Sequence, residues 1–164
     1  RMSLRMQKID ILAELDDAVY VLRDRASREG LEIFYSAPDY PAPAQGDPDR
    51  IKQVFVNIID NAIKYTEPGG RIAIVAALST KEIKISVADT GCGISAEDLP
   101  HVKEKFYKAN KSVKGSGIGL AVCDEIVSMH HGKLEVVSVL GEGTTVIVTL
   151  PVTAVNLSGG KENQ

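Results

Sequence analysis

No apolar run in this 164-residue chain approaches the roughly 18 to 20 residues that a membrane span requires. No N-terminal stretch has the charged, apolar and small-residue order of a secretory signal. Positive charge is not in surplus: 19 Lys and Arg against 22 Asp and Glu leave a formal net charge of -3. That removes the basic surface a nucleic-acid partner would need. Only two cysteines occur, Cys92 and Cys123, and the three histidines are His101, His130 and His131. None of these falls at zinc-ligand spacing, and two scattered cysteines read as reduced thiols, so a cytoplasmic setting is expected. There are no internal repeats. The start at Arg1, with Met2 and Met6 close behind, reads as a cut inside a longer protein. The missing span therefore leaves open whether a parent protein is anchored in a membrane.

What remains is an ordinary globular composition, 44% hydrophobic and 25% charged, long enough for one substantial core. Leu12, Leu15, Val19, Leu22 and Ala26 recur at helical spacing, predicting a helix from about Ile9 to Glu29 with Gly30 as its stop. Leu31 to Tyr35 alternates as a strand, and Pro38, Pro41 and Pro43 predict a loop after it. Asp47-Pro48-Asp49 opens a second helix, a capping carboxylate followed by proline at the first helical position. Ile51, Val54, Phe55, Ile58, Ile59, Ala62 and Ile63 give that helix a strong apolar face, and it ends before Pro68-Gly69-Gly70. Arg71 to Leu78 and Glu82 to Ala88 predict a hairpin around Ser79-Thr80-Lys81. Short helical turns are expected over 95–106 and a mobile loop from Tyr107 to Gly117. A third helix then runs from near Gly117 to His131. Lys133 to Val139 and Thr144 to Leu150 form the last strand pair, and the polar tail from Asn156 reads as a linker remnant. The sum is an α/β fold, a two-layer sandwich with a mixed sheet packed against three main helices.

Three clusters carry chemistry. Asn57, Asn61 and Lys64 lie four and three residues apart, on one stripe beside the buried face of the second helix. Two asparagines are unfavourable there without a purpose. An amide oxygen is a hard neutral ligand suited to Mg²⁺, and a lysine one turn on suits a phosphate. A solvated polar face would give the same spacing. Asp89-Thr90-Gly91-Cys92-Gly93 ends a strand with a carboxylate able to accept from an exocyclic amine, beside glycines that let the backbone close on a flat base. A plain tight turn would read alike. Gly115-Ser116-Gly117-Ile118-Gly119-Leu120 enters a helix whose free N–H groups favour phosphate. Its G-x-G-x-G spacing is neither the dinucleotide fingerprint nor a Walker loop, and a hinge is the other reading.

Together these segments resemble the motifs of sensor histidine kinases. Asn57-Ile58-Ile59-Asp60-Asn61-Ala62-Ile63-Lys64-Tyr65-Thr66 resembles the N box, and Asp89 through Ile94 the first glycine box. Lys105-Phe106-Tyr107-Lys108 is similar to the F box, and Gly115 through Leu120 to the second glycine box. The four stand in the family's order over about Asp47 to Leu150. The resemblance implies a Bergerat-type sandwich, shared with gyrase and Hsp90-type chaperones, that binds ATP and Mg²⁺. Asn61 would hold the metal, Asn57 would support that site, and Lys64 would reach a phosphate; these three would be the catalytic set. Tyr65 would line the adenine pocket, with Asp89 accepting from the adenine amine and Gly91, Gly93 and Ile94 shaping the pocket. Phe106, Tyr107 and Lys108 would belong to a lid that Gly115, Ser116, Gly117, Ile118, Gly119 and Leu120 close over the phosphates. Thr144, at the start of the last strand, completes the nucleotide-binding set.

The resemblance also implies what is done with the nucleotide. ATPases of the wider family carry a glutamate where this chain has Asn57, and an amide is no general base. Transfer to a nucleophile from elsewhere is therefore expected, by positioning and charge neutralisation. None of the three histidines has the setting of a phosphoacceptor, so the acceptor is expected upstream of Arg1, on a dimerisation domain of the same protein. A response-regulator receiver domain would take the phosphoryl group onward, with no nucleic acid and no direct membrane contact from this segment. Residues 1–8 are then expected to be a helical end or linker, 9–153 the catalytic domain and 154–164 a flexible tail. Departures from the pattern are Lys108 for a usual arginine, Ser116 for threonine, and a short lid. His130-His131 reads as a helix terminus, where the dipole favours histidine. Two alternatives are a serine/threonine kinase of the same fold, which tends to be acidic at position 57, and a nucleotide-sensing module without turnover.

Overall fold

The computed structural model describes residues 2–105, 107 and 119–153. Three helices cover one face of a five-stranded mixed sheet. Helix α1 (Ile11–Arg28) begins two residues later than its periodicity suggests, because Asp10 caps it, its carboxylate accepting from Leu12 N–H at 3.0 Å. Strand β1 (Gln7–Asp10) precedes it, so Gln7 and Lys8, expected in a helical end or linker, sit in a strand. Its partner is β3 (Pro43–Gly46), paired antiparallel with Ile9 opposite Ala44. This ribbon corrects the loop expected after Pro38. A two-stranded ribbon has a free edge, and Pro43 can sit there without costing a ladder bond.

The main sheet runs β2 (Glu32–Ser36), β4 (Arg71–Leu78), β5 (Glu82–Asp89), β7 (Gly143–Pro151), β6 (Lys133–Val139). β2 pairs parallel with β4, and the other neighbours pair antiparallel. The chain between β2 and β4 includes helix α2 (Pro48–Tyr65), the crossover that a parallel pair requires. Alternation sorts the sheet into two faces. Ile72, Ile74, Ile83, Ile85, Val146 and Val148 point into the helical layer and are buried. Phe34, Val75 and Val137 stand on the other face and are exposed.

Helix α2 is the centre of the helical layer, packed between α1 and α3 (Gly119–Met129). Phe55, Ile58 and Ile59 on its inner face are buried, each worth roughly 1.5–3 kcal/mol relative to exposure. Asp47 caps it as expected, accepting from Arg50 N–H at 3.2 Å, with Pro48 at the first helical position. Helix α3 ends at His130 and His131. His130 is buried, its Nδ1–H donates to the Ile126 carbonyl at 2.8 Å, and its Nε2 accepts from Asp47 N–H at 3.0 Å. Both ring nitrogens are thus engaged in tying the end of α3 to the start of α2. Among the described residues no helix is long and apolar enough to cross a membrane.

Candidate functional site

The site assembles where β5 ends, β7 begins and α2 terminates. Asp89 is the last residue of β5, opposite Thr144 in register. Its carboxylate accepts from Gly91 N–H at 2.8 Å and from Thr144 N–H at 3.2 Å. Among the described residues both of these donors fall on Oδ1, which leaves Oδ2 for an incoming donor. Burial pushes the Asp89 carboxyl above its ordinary value of 3.8, and the Gly91 and Thr144 donors offset only part of that. A half-buried acceptor held by its own backbone is a fixed hydrogen-bonding post, suited to reading an amine on a flat ring.

The glycine turn after Asp89 is docked against the end of α2. Cys92 N–H donates to the Tyr65 carbonyl at 3.2 Å, satisfying one of the acceptors that a helix C-terminus leaves open. Gly91 lies so close that a Cβ there would come within 2.3 Å of that same carbonyl oxygen. The Gly91→Ala variant is accordingly expected to lose about 2 kcal/mol of stability, because backbone rather than a pliable side chain is the obstacle. Urea denaturation checks this, and an unchanged midpoint would mean that the turn can retreat. Gly93 has a positive φ of 74° and faces the Val139 carbonyl, where a Cβ would stand at 2.1 Å.

Two residues unassigned from the sequence complete this corner. Ser138 on β6 accepts from Ile94 N–H at 2.8 Å, donates to the Gly143 carbonyl, and shares a 2.8 Å hydrogen bond with the Thr144 hydroxyl. Gly143 has a φ of 132° and passes the Asp89 carbonyl at a distance only a glycine allows. The run Gly141-Glu142-Gly143 signals a turn, and nothing in it points to Asp89 until β5 and β7 are paired.

Asn57, Asn61, Lys64 and Tyr65 stand outside the buried face of α2. Asn57 and Asn61 are partly buried. The Cys123 thiol on α3 donates to the Val54 carbonyl of α2 at 3.8 Å, beside Asn57. Burial raises that thiol to about 12, partly offset by Asn57, so Cys123 is an unreactive core group. Burial also raises the Tyr65 hydroxyl, with Cys92 adding to the shift. Lys64 is not poised alone: its Nζ lies 3.1 Å from Asp60 Oδ2. Tyr107 is held by a hydrogen bond from its hydroxyl to Asp98 and by a tilted ring contact with His101, centroids 5.4 Å apart. The Asp98 hydrogen bond pushes the Tyr107 hydroxyl up to about 12.

Gly119 opens α3, and Leu120 packs partly buried against the core. Phe106, Lys108, Gly115, Ser116, Gly117 and Ile118 lie outside the described residues. Among the described residues no group of three or more His, Cys, Asp or Glu side chains is arranged to hold a metal ion. A divalent ion here would lean on amide and phosphate oxygens, the donor set that hard Mg²⁺ accepts. The Asp89 acceptor and the close-packed Gly91 likewise fit an aminopurine.

Comparison with known proteins gives consistent relatives. The family profile described as histidine kinase-, DNA gyrase B-, and HSP90-like ATPase matches residues 46–154. The chain is 38% identical over 155 residues to the adaptive-response sensory kinase SasA of Synechococcus elongatus, an alignment covering 92% of this chain and 40% of that protein. It is 34% identical to the signal transduction histidine-protein kinase BaeS of Escherichia coli, covering 91% of this chain and 33% of that one. Against the sensor protein SrrB of Staphylococcus aureus the identity is 43%, with coverages of 92% and 26%. The chain thus spans 40% or less of the length of these relatives. Among solved structures, a mycobacterial sensor histidine kinase, MprB, superposes with a TM-score of 0.79 at 26% identity, covering 91% of this chain and all of that one. The catalytic domain of histidine kinase ThkA superposes at 0.81, covering 92% of this chain and 99% of that one, and at 22% identity shows the shared fold.

Proposed function

The chain belongs to the family of histidine kinase-, DNA gyrase B- and HSP90-like ATPases, and from that premise we propose that it is the ATP-binding catalytic domain of a sensor histidine kinase. It would transfer the γ-phosphoryl group of ATP to a histidine on a dimerisation domain, for relay to a response-regulator aspartate. The observation that carries the reading is the Asp89 post: a carboxylate fixed through Oδ1 by Gly91 and Thr144, its other oxygen left for the adenine amine. The printed names of two relatives, the histidine-protein kinase BaeS and the sensor histidine kinase MprB, favour histidine as acceptor over serine or threonine. The catalytic domain is taken as 9–153, with 154–164 as a tail.

In this reading ATP supplies the phosphoryl group, and Mg²⁺ neutralises the phosphate charge. The chain's own residues bind and orient. Asp89 and Tyr65 fix the base end, with Gly91, Gly93 and Ile94 shaping the wall. Thr144 and Ser138 hold Asp89 and that wall in register. Asn61 is the metal-side amide, Asn57 supports that site, and Lys64 serves a phosphate. The proposed lid includes Phe106, Tyr107 and Lys108, with Gly115 through Leu120 at its far end. With an amide at Asn57 the domain holds no carboxylate there to activate water, so the phosphoryl group is kept for an incoming imidazole.

Mixing the domain with an isolated histidine-bearing helical segment of its own protein and γ-labelled ATP·Mg²⁺ tests the reading. Acid-labile, base-stable label on that segment is expected. Nucleotide binding with no transfer, even in a covalently joined form, would leave a sensing module instead. For the metal assignment, Asn61→Ala is expected to lower affinity about 30-fold with Mg²⁺ and little with EDTA, a loss of roughly 2 kcal/mol typical of one charge-assisted contact. Equal affinities in the presence of Mg²⁺ would remove Asn61 from the metal site.

A further inference from the structure

The lysine expected to serve a phosphate is engaged elsewhere in this structure. Lys64 Nζ lies 3.1 Å from Asp60 Oδ2, and the other carboxylate oxygen of Asp60 pairs with Arg25 on α1. At about 100° per residue, Asp60 lies roughly 60° to one side of Asn57, and Asn61 roughly 40° to the other. Lys64 falls between them, on the ridge of α2. The neighbours fix which side is which: Asp60 faces α1 through Arg25, while Val54, two turns before Asn61 on the same stripe, faces α3 through the Cys123 thiol at 3.8 Å. The ammonium is therefore drawn to the α1 side, away from the amides of Asn57 and Asn61.

We propose that Asp60, anchored by Arg25, is a positioning residue that parks the Lys64 ammonium on the α1 side of α2 and yields it to the nucleotide phosphates when they arrive. This rests on the nucleotide-binding reading of the site. Lys64 has two stations one helix ridge apart, and its long flexible stem reaches either by rotation about side-chain bonds. Arg25 shares the negative charge of Asp60, so the hold on Lys64 is weaker than a lone carboxylate would exert. Solvent reaches all three groups, which are about a quarter to a third exposed, and further lowers the strength of the pairing. A phosphate bearing several charges displaces such a partner, whereas an uncharged nucleoside does not.

The two anchors make opposite predictions. Removing the carboxylate frees the lysine; removing the arginine leaves Asp60 to hold it alone. MgATP and adenosine affinities are measured by calorimetry on the whole chain and on Asp60→Asn, Arg25→Met and Asp60→Asn/Lys64→Met variants. Asp60→Asn is expected to tighten MgATP about fivefold, the scale of an exposed ion pair. Arg25→Met is expected to weaken MgATP about threefold on the same scale. Adenosine affinity stays constant, and the gain from Asp60→Asn vanishes in the Lys64→Met background. Partial unfolding would weaken both ligands in both variants, so it does not imitate opposite shifts. Equal changes for MgATP and adenosine, or weaker MgATP binding to Asp60→Asn, would overturn the proposal and leave the nucleotide site standing. No MgATP binding to the unsubstituted chain would overturn both.

Discussion

An Asp89→Asn variant is expected to bind ATP about 100-fold more weakly, roughly 2.7 kcal/mol, while melting no earlier than the unsubstituted chain. The two effects separate because Asp89 does two things with two oxygens. Oδ1 accepts from Gly91 and Thr144, and an asparagine carbonyl oxygen keeps both of those bonds. The amide NH₂ would then face the adenine amine, donor against donor, and an unpaired buried polar group is the strongest form of discrimination a pocket has. Stability moves the other way. Burial raises the Asp89 carboxyl above 3.8, so its protonated form is favoured by folding. Its contribution to stability is therefore fullest below the unfolded value and is lost as pH rises through the higher folded value. A neutral amide removes that cost at neutral pH. The companion outcome is a change of preference: a purine nucleotide with a carbonyl at position 6 should bind Asp89→Asn better than ATP does. Calorimetry with both nucleotides and a thermal melt decide the matter, and unchanged ATP affinity would remove Asp89 from the adenine contact.

Asp47→Ala is expected to cost about 3 kcal/mol in global stability. Asp47 is 5% exposed, and its carboxylate caps α2 through Arg50 N–H while holding Arg5 N–H at 2.8 Å. Alanine leaves these donors without their acceptor, at the helix start and in the segment leading to β1. Asp47→Asn keeps one acceptor oxygen and should lose only about 1 kcal/mol. The pH dependence gives a second signature. Burial pushes the Asp47 carboxyl up, but backbone donors at Arg5, Arg50 and Asp49 outweigh it, and the net pKa is lowered from 3.8. The stability it provides is present above 3.8 and disappears as pH falls through the lower folded value. The deficit of Asp47→Ala should therefore shrink in acid. Urea midpoints at neutral and acid pH measure it, with a constant slope required for the comparison. An equal deficit at both pH values would show that the carboxylate charge is not what holds the helix start.

His130 explains why this corner matters beyond one cap. Its Nε2 accepts the Asp47 backbone N–H from across the α2–α3 seam, and its Nδ1–H is bonded to Ile126 within its own helix. Read from sequence it is a helix-terminal histidine, which it is. That it braces the opening turn of another helix 83 residues away in the chain appears only when the two helices are side by side.

Helix α2 was legible because its information is local. The Asp47-Pro48 cap, the apolar repeat from Ile51 to Ile63 and the stop before Pro68 are all interactions between residues a few positions apart. The β4–β5 and β6–β7 pairs were legible for the same reason: alternation and a short turn lie within one window. Asp89, Gly91 and Gly93 could be singled out because a strand end followed by a glycine turn is itself a local pattern. The β1–β3 ribbon was not legible. Gln7-Lys8-Ile9-Asp10 and Pro43-Ala44-Gln45-Gly46 have little alternation of their own, and each is a strand only because the other lies beside it.

By itself, then, the sequence determined the three helices, the strands of the main sheet, the two-layer class and the kinds of group offered to a nucleotide. These follow from periodicity, capping and the resemblance carried by four motifs. Tertiary structure alone decided how those groups are held: that Ser138 and Gly143 lock the Asp89 corner, that α2 ends against the glycine turn, and that Arg25 of α1 anchors Asp60 beside Lys64. The reason is that each of these depends on which distant segments become neighbours. Sheet pairing and helix packing set that, through the burial of one continuous core, and no short window of residues contains it.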